Sequence, residues 1–183
     1  MYQKNIMMKI HYKKIIEDLK LIERLKAYQV TVIGTPPLGI EIWQSDIDLI
    51  CNYQLEQLNQ LFDVLKKFKA LENWKIEQSK FEKETWICSF GYLNWVIEIF
   101  CSTTPIYQQA GFRHFKIEHR LLNLAHIQFK KDIIALKNKG FKTEPAFAEL
   151  LSLTGDPYAR LNELYEVDDS ELILLLQKHK YAD

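Results

Sequence analysis

The 183-residue chain is poor in several things, and each shortage excludes a class of protein. No uncharged apolar run approaches the ~20 residues that a bilayer span requires, so no transmembrane helix is expected. The opening stretch, MYQKNIMMKIHYKKII, interrupts its apolar residues with Lys4, Lys9, Lys13 and Lys14 and lacks the unbroken hydrophobic segment of a secretory signal. Six glycines and five prolines are too few for a collagen-like or low-complexity chain. The three cysteines, Cys51, Cys88 and Cys101, are odd in number and show neither CxxC nor Cys/His spacing. They read as free buried thiols of a cytoplasmic protein rather than a disulfide framework. His11, His119, His126 and His179 share no metal spacing, which disfavours zinc. A P-loop, a dinucleotide fingerprint and a G-x-S-x-G elbow are all missing. Net charge is zero, with 24 residues of each sign, so long nucleic acid is not favoured as a ligand.

What is present is the composition of an ordinary globular protein, 48% hydrophobic and 26% charged. The charge is unevenly spread. Residues 113 to 142 carry 8 basic and 2 acidic side chains, and residues 143 to 183 carry 3 and 9. The basic segment either meets phosphates, leaving a short RNA end or a tRNA open as a partner, or docks on the acidic tail.

Periodicity predicts an amphipathic helix over 6 to 27, a strand over 28 to 34, a loop with Gly34, Thr35, Pro36, Pro37 and Gly39, and a strand over 45 to 51. A helix over 55 to 69 follows, then strands at 73 to 81, 83 to 92 and 94 to 101, whose short connections favour antiparallel hairpins. After Pro105 only helices are expected, at about 107–125, 127–139, 144–152, 157–165 and 170–181. Gly140 is placed to close one of them, Thr143 to cap the next, and Asp156 to cap another with Pro157 at its first position. The fold class expected is α/β (α+β), a mixed sheet flanked by helices over residues 1 to 105, with a helical region over 106 to 183 packed on it.

The chemistry gathers in one string, GTPPLGIEIWQSDIDL. Asp46 and Asp48 lie two apart on a predicted strand, so both leave one face, where their mutual repulsion calls for a cation. Hard divalent ions, magnesium above all, take such oxygen ligands. Glu98 interrupts the apolar run WVIEIF, where an unpartnered carboxylate is costly. If its strand lies beside 45 to 51, the three carboxylates can hold two metals about 4 Å apart, the arrangement for in-line phosphoryl transfer. Gly34 and Gly39 allow backbone to approach a polyphosphate, and the Thr35 hydroxyl can donate to a phosphate oxygen. The non-functional alternative places Asp46 and Asp48 at the surface and pairs Glu98 with a lysine. In RHFKIEHR, His114 falls on the stripe of Ile117, Leu121 and Leu124, with Glu118 one turn along as its expected partner. Arg113, His114 and Lys116 either serve the helical core and its surface or face phosphate. Lys142, beside the helix start at Thr143, is either solvated or an anion contact.

The order glycine, hydroxyl residue, glycine, Ser45, Asp-x-Asp resembles the signature of the nucleotidyltransferase superfamily, the polymerase beta-like fold, with Thr35 where serine is usual. Glu98 matches the location of that superfamily's third carboxylate, where aspartate is more usual. Over almost the whole chain the sequence is also similar to a bacterial family, domain of unknown function 4269, through GTPPLGI, SDIDLIC, RHFKIEHRLL and GFKTEPAFAELLSLTGDPY. The resemblance implies transfer of a nucleoside monophosphate from a nucleoside triphosphate to an acceptor it does not identify, whether a small molecule, an RNA end or a protein. Asp46, Asp48 and Glu98 would be catalytic and hold Mg2+ or Mn2+, while Gly34, Thr35, Gly39, Ser45, Arg113, His114 and Lys142 would meet the nucleotide. The alternative is an inactive module that binds a nucleotide or a partner protein, in the manner of a toxin–antitoxin pair.

Overall fold

The computed structural model describes residues 9 to 80 and 82 to 183; the start of the helix expected from residue 6 and the end of the strand expected to 81 lie outside them. In place of one long N-terminal helix there are two, α1 (Tyr12–Asp18) and α2 (Leu21–Leu25), followed by a 3-10 turn at Lys26–Tyr28. The break is at Lys20, whose φ of 50° is left-handed and cannot continue a helix. It has a packing reason. Ile15 and Leu21 are both fully buried, yet six residues of straight helix would set them about 120° apart around the axis.

The strands are β1 (Thr31–Ile33), β2 (Ile47–Asn52), β3 (Glu72–Gln78), β4 (Thr85–Tyr92) and β5 (Trp95–Ser102). They form one mixed sheet in the order β1-β2-β5-β4-β3, with β5 parallel to β2 and antiparallel to β4, and β4 antiparallel to β3. Leu93 and Asn94 link β4 to β5 with φ of 47° and 64°, the two left-handed residues of a tight hairpin turn that matches the strand twist. The loop expected after β1 contains a short helix, α3 (Thr35–Leu38), because the prolines at its start cost no intrahelical hydrogen bond. The helix expected at 55 to 69 is α4 (Leu58–Leu65) between two 3-10 turns. Beyond it come α5 (Ala110–Leu124), α6 (Ile127–Asn138), α7 (Thr143–Leu150), α8 (Pro157–Glu163) and α9 (Asp169–Lys178). Gly140 follows the end of α6 at φ 98°, and the Asp156 carboxylate accepts from the Tyr158 amide to cap α8. Lys142, not Thr143, occupies the cap position of α7.

The chain divides into two compact units. The first contains Asp46–Thr103 and the described residues up to Thr31; the second contains Val32–Ser45 and Thr104–Asp183. In the first, one sheet face carries the core: Ile47, Leu49, Cys51, Ile97, Ile99, Cys101, Cys88 and Phe90 are all buried, and helical side chains pack on it. Phe68 stacks on Phe90 at 4.8 Å and Phe62 meets Trp86 edge-on at 4.9 Å. All three cysteines are free and lie in this core, and burial pushes the Cys88 thiol up to about 12. The second unit has its own core, in which Leu38 and Ile40 join Ile117, Leu121, Phe129, Ile133, Phe147, Leu161, Leu172 and Leu176. That packing explains why Val32–Ser45 groups with the helical region, although the sequence places it in the α/β part. Among the described residues, no helix is long and apolar enough to cross a membrane.

Candidate active site

Parallel pairing of β2 with β5 sets Asp48 directly opposite Glu98, so the adjacency on which the three-carboxylate reading depended is present. Register carries the row further across the sheet: Glu98 faces Ser89 on β4, and Ser89 faces Lys75 on β3. Directly opposed residues project from the same face, here the one opposite the cysteine-rich core. Asp48 and Glu98 are partly buried and Ser89 is 6% exposed. Asp46 stands one residue before β2, so the strand begins later than the sequence suggests. The Lys75 ammonium pairs with Glu77 at 2.6 Å, and its pKa is raised by the Glu77 hydrogen bond and charge and, more weakly, by the charge of Glu98. Sequence reasoning missed Ser89 and Lys75, because only the register reveals which residues of distant strands share a row. No group of three or more His, Cys, Asp or Glu among the described residues is arranged to hold a metal ion.

In the second unit, Gly34 (φ 79°) and Gly39 (φ 66°) bracket α3 in conformations that L side chains rarely adopt. A Cβ on Gly39 would also lie 2.7 Å from the Lys130 Nζ. The Thr35 hydroxyl donates to the Ser45 hydroxyl at 3.0 Å, and the Ile42 amide donates to the same oxygen at 2.9 Å. The Ser45 amide returns to the Ile42 carbonyl at 3.0 Å. Thr35 and Ser45, members of the same sequence pattern, therefore close one loop, and Asp46 follows Ser45 directly.

Arg113, His114 and Lys142 also lie in the second unit, in different surroundings. Arg113 donates to the Asn162 side chain at 2.8 Å, pairs with Glu166 at 2.9 Å and covers the Tyr165 ring. Arg120 binds Asp169 at 2.7 Å and the carbonyls of Tyr165 and Val167. At these two arginines the basic segment docks on the acidic tail. His114 pairs with Glu144 of α7 at 3.4 Å rather than with Glu118, and its Nε2 bonds the Tyr158 carbonyl at 3.0 Å. Since a carbonyl only accepts, Nε2 carries a proton, and Nδ1 then faces the carboxylate favourably only when protonated too. Burial acts to lower the His114 pKa, but the Glu144 and Tyr158 hydrogen bonds overcome it and the value is raised. Burial likewise opposes Glu144, whose pKa the same pair lowers. Lys142 is exposed. The second unit also holds a cavity of about 530 Å3 lined by Phe141, Pro145, Ala148, Leu153 and Pro157 among others, which the sequence did not reveal.

The mixed sheet with its helices is a nucleotidyltransferase-like fold by comparison with solved structures. A structure of the poly(U) polymerase Cid1 described as MgGTP bound superposes with a TM-score of 0.57 at 12% identity, covering 82% of this chain and 47% of that one. A cytoplasmic RNA terminal U-transferase gives 0.51 at 14%, covering 79% and 40%. A Cid1 structure with its short product ApU gives 0.53 at 11%, covering 82% and 46%. The chain thus spans less than half the length of each of these proteins. No curated protein matches the sequence. The chain belongs to the family described as Domain of unknown function (DUF4269), which matches residues 14–164.

Proposed function

We propose that the chain is a metal-dependent nucleotidyltransferase that moves a nucleoside monophosphate from a nucleoside triphosphate to an acceptor hydroxyl or phosphate. The observation that carries this reading is the facing of Asp48 and Glu98 on paired parallel strands of a nucleotidyltransferase-like sheet. The acceptor oxygen attacks the α-phosphorus, the bond from that phosphorus to the bridging oxygen breaks, and pyrophosphate leaves with the electron pair. Glu98 takes the acceptor proton and passes it to solvent.

The donor chemistry fits Mg2+ or Mn2+. Mg2+ is commonly held by one or two carboxylates and completed by substrate phosphates and water, so Asp48 and Glu98, with Asp46 two residues before Asp48, are a sufficient protein contribution. Such an ion, when bound, supplies charge stabilisation for the reacting phosphoryl group. Gly34 and Gly39 let the backbone come close to the triphosphate, and the Thr35 and Ser45 hydroxyls fix its orientation. Arg113 and His114 shape the helical unit behind that loop through Glu166, Asn162, Glu144 and Tyr158, while exposed Lys142 is available to an anion. Three free thiols suit a reducing, cytoplasmic setting.

A second, non-catalytic reading has one observation in its favour: Lys75 lies in the same row across the sheet and feels the charge of Glu98. The test separates the two. Nucleoside triphosphates labelled at the α-phosphate are incubated with Mg2+ or Mn2+ and a cell extract, which is then split into RNA, protein and small-molecule fractions. Label in one fraction that disappears with Asp46→Ala/Asp48→Ala supports transfer and gives the acceptor class. Nucleotide binding without label in any fraction refutes transfer and leaves a nucleotide-binding module.

A further inference from the structure

Lys137 is 5% exposed, a charged group that the proposed chemistry does not use. It sits on α6 in the stripe Phe129, Ile133, Lys137, whose other two members are fully buried core residues. Its Nζ donates to the Ile40 carbonyl at 2.9 Å, across 97 residues of sequence. Ile40 is the first residue after Gly39, at the exit of α3, and its own amide returns to the Thr35 carbonyl at 3.2 Å. Five residues later the chain reaches Ser45, whose hydroxyl accepts from Thr35. The loop from 35 to 45 is therefore closed at its base by two hydroxyls and tethered near its middle by one ammonium. Two turns earlier on α6, the Lys130 Nζ lies against Gly39.

A buried ammonium is expensive to desolvate, so a neutral donor would serve the Ile40 carbonyl at lower cost unless the charge has a further use. Part of that use is visible. Glu118 on α5 is 4% exposed, and burial and the charge of Glu144 raise its pKa well above the usual carboxylate range while Lys137 opposes them. The Lys137 charge also helps to lower the pKa of Glu144. One ammonium thus bonds the loop carbonyl and places its charge near two acidic residues of the helical core, Glu118 and Glu144.

We infer that Lys137 is a positioning residue for the Thr35–Ser45 loop, holding it in the conformation in which its hydroxyls receive a nucleotide triphosphate. The inference deepens the proposed function and, for its nucleotide half, rests on it. Lys137 touches no substrate; it acts through the Ile40 carbonyl. Replacing it frees the middle of the loop while leaving Thr35, Ser45, Asp46 and Asp48 chemically intact.

The test compares wild type, Lys137→Met and Lys137→Met/Glu118→Gln, all as the full chain. Three quantities are read: the thermal midpoint, the amide exchange rates of Gly39, Ile40, Ile42 and Ser45 without ligand, and the Kd for the best-bound of the four ribonucleoside triphosphates with Mg2+. Lys137→Met is expected to accelerate exchange in the loop by about ten- to a hundredfold, the equivalent of one charged hydrogen bond, and to weaken nucleotide binding about tenfold or more. The double variant, with no buried carboxylate left without its lysine, recovers thermal midpoint but neither loop protection nor affinity. A single variant with wild-type exchange and Kd overturns the inference. So does a double variant in which exchange and Kd recover together with the midpoint, because Lys137 then serves only to neutralise Glu118. If wild type binds no nucleotide, the proposed function falls and takes the nucleotide half with it, while ligand-free exchange still decides whether Lys137 fixes the loop.

Discussion

The His114–Glu144 pair gives the second unit a pH-dependent stability whose direction and size follow from the structure. The His114 pKa is raised above its ordinary 6.5, so its contribution is complete below about pH 6.5 and is lost as pH rises through the higher folded-state value. The Glu144 pKa is lowered from 4.5, so its contribution is complete above 4.5 and is lost as pH falls through its folded-state value. Both groups are therefore ionised and paired at pH 5.5, and the imidazolium is lost as pH rises through its raised folded-state value. The side chains are only 13% and 21% exposed, so solvent screens the pair weakly. His114→Ala removes a charged hydrogen bond worth about 1.5–3 kcal/mol and a second bond, to the Tyr158 carbonyl, of about 1 kcal/mol. Urea unfolding of wild type and variant is expected to show a loss of about 3 kcal/mol at pH 5.5 that is smaller at pH 9. Taking the difference between the two proteins cancels much of the pH dependence contributed by Glu118, which also lies in this cluster. A loss that is constant with pH, or larger at pH 9, refutes the pairing and the protonation state assigned to His114.

Three further outcomes are expected. Asp48→Asn keeps the side chain's shape but removes the charge set opposite Glu98 and should abolish nucleotidyl transfer; transfer at the wild-type rate would take Asp48 out of the proposed site. Phe147→Ala deletes a fully buried ring that meets Phe129 edge-on at 5.5 Å and should cost about 3–5 kcal/mol in urea unfolding, with less than 1 kcal/mol counting against a core role. Asp156→Ala leaves the Tyr158 amide without its cap and should lower stability by about 1 kcal/mol, so an unchanged denaturation midpoint would remove the cap from the account of α8.

How far the sequence could be read differed from element to element for physical reasons. The hairpin strands were legible because β-branched and aromatic residues alternate between short turns, and the α8 start because Asp156-Pro157 satisfies orphan amides by local chemistry. Periodicity predicts an unbroken N-terminal helix because it holds on both sides of Lys20, while the break serves the burial of both Ile15 and Leu21 in a tertiary core. At His114 the sequence and the structure point to different partners for a related reason. The i to i+4 spacing offers Glu118, but Glu118 is turned into the core and α7 supplies Glu144.

The carboxylates and the loop show the same division more sharply. Asp46 and Asp48 stand out in the sequence by their two-residue spacing, and Glu98 because acid in an apolar strand is anomalous wherever it occurs. Ser89 and Lys75 are ordinary residues in ordinary strands, and only the Asp48–Glu98–Ser89–Lys75 register gives them a place. Lys137 lies between these cases. A lysine four residues beyond Ile133 and eight beyond Phe129 occupies an apolar stripe, and that anomaly is as readable as Glu98, yet a lysine on a helix is so commonly solvated that the position alone carries no signal. Its bond to Ile40 makes the difference, because it commits a costly buried charge to one backbone carbonyl in the loop that leads to Asp46.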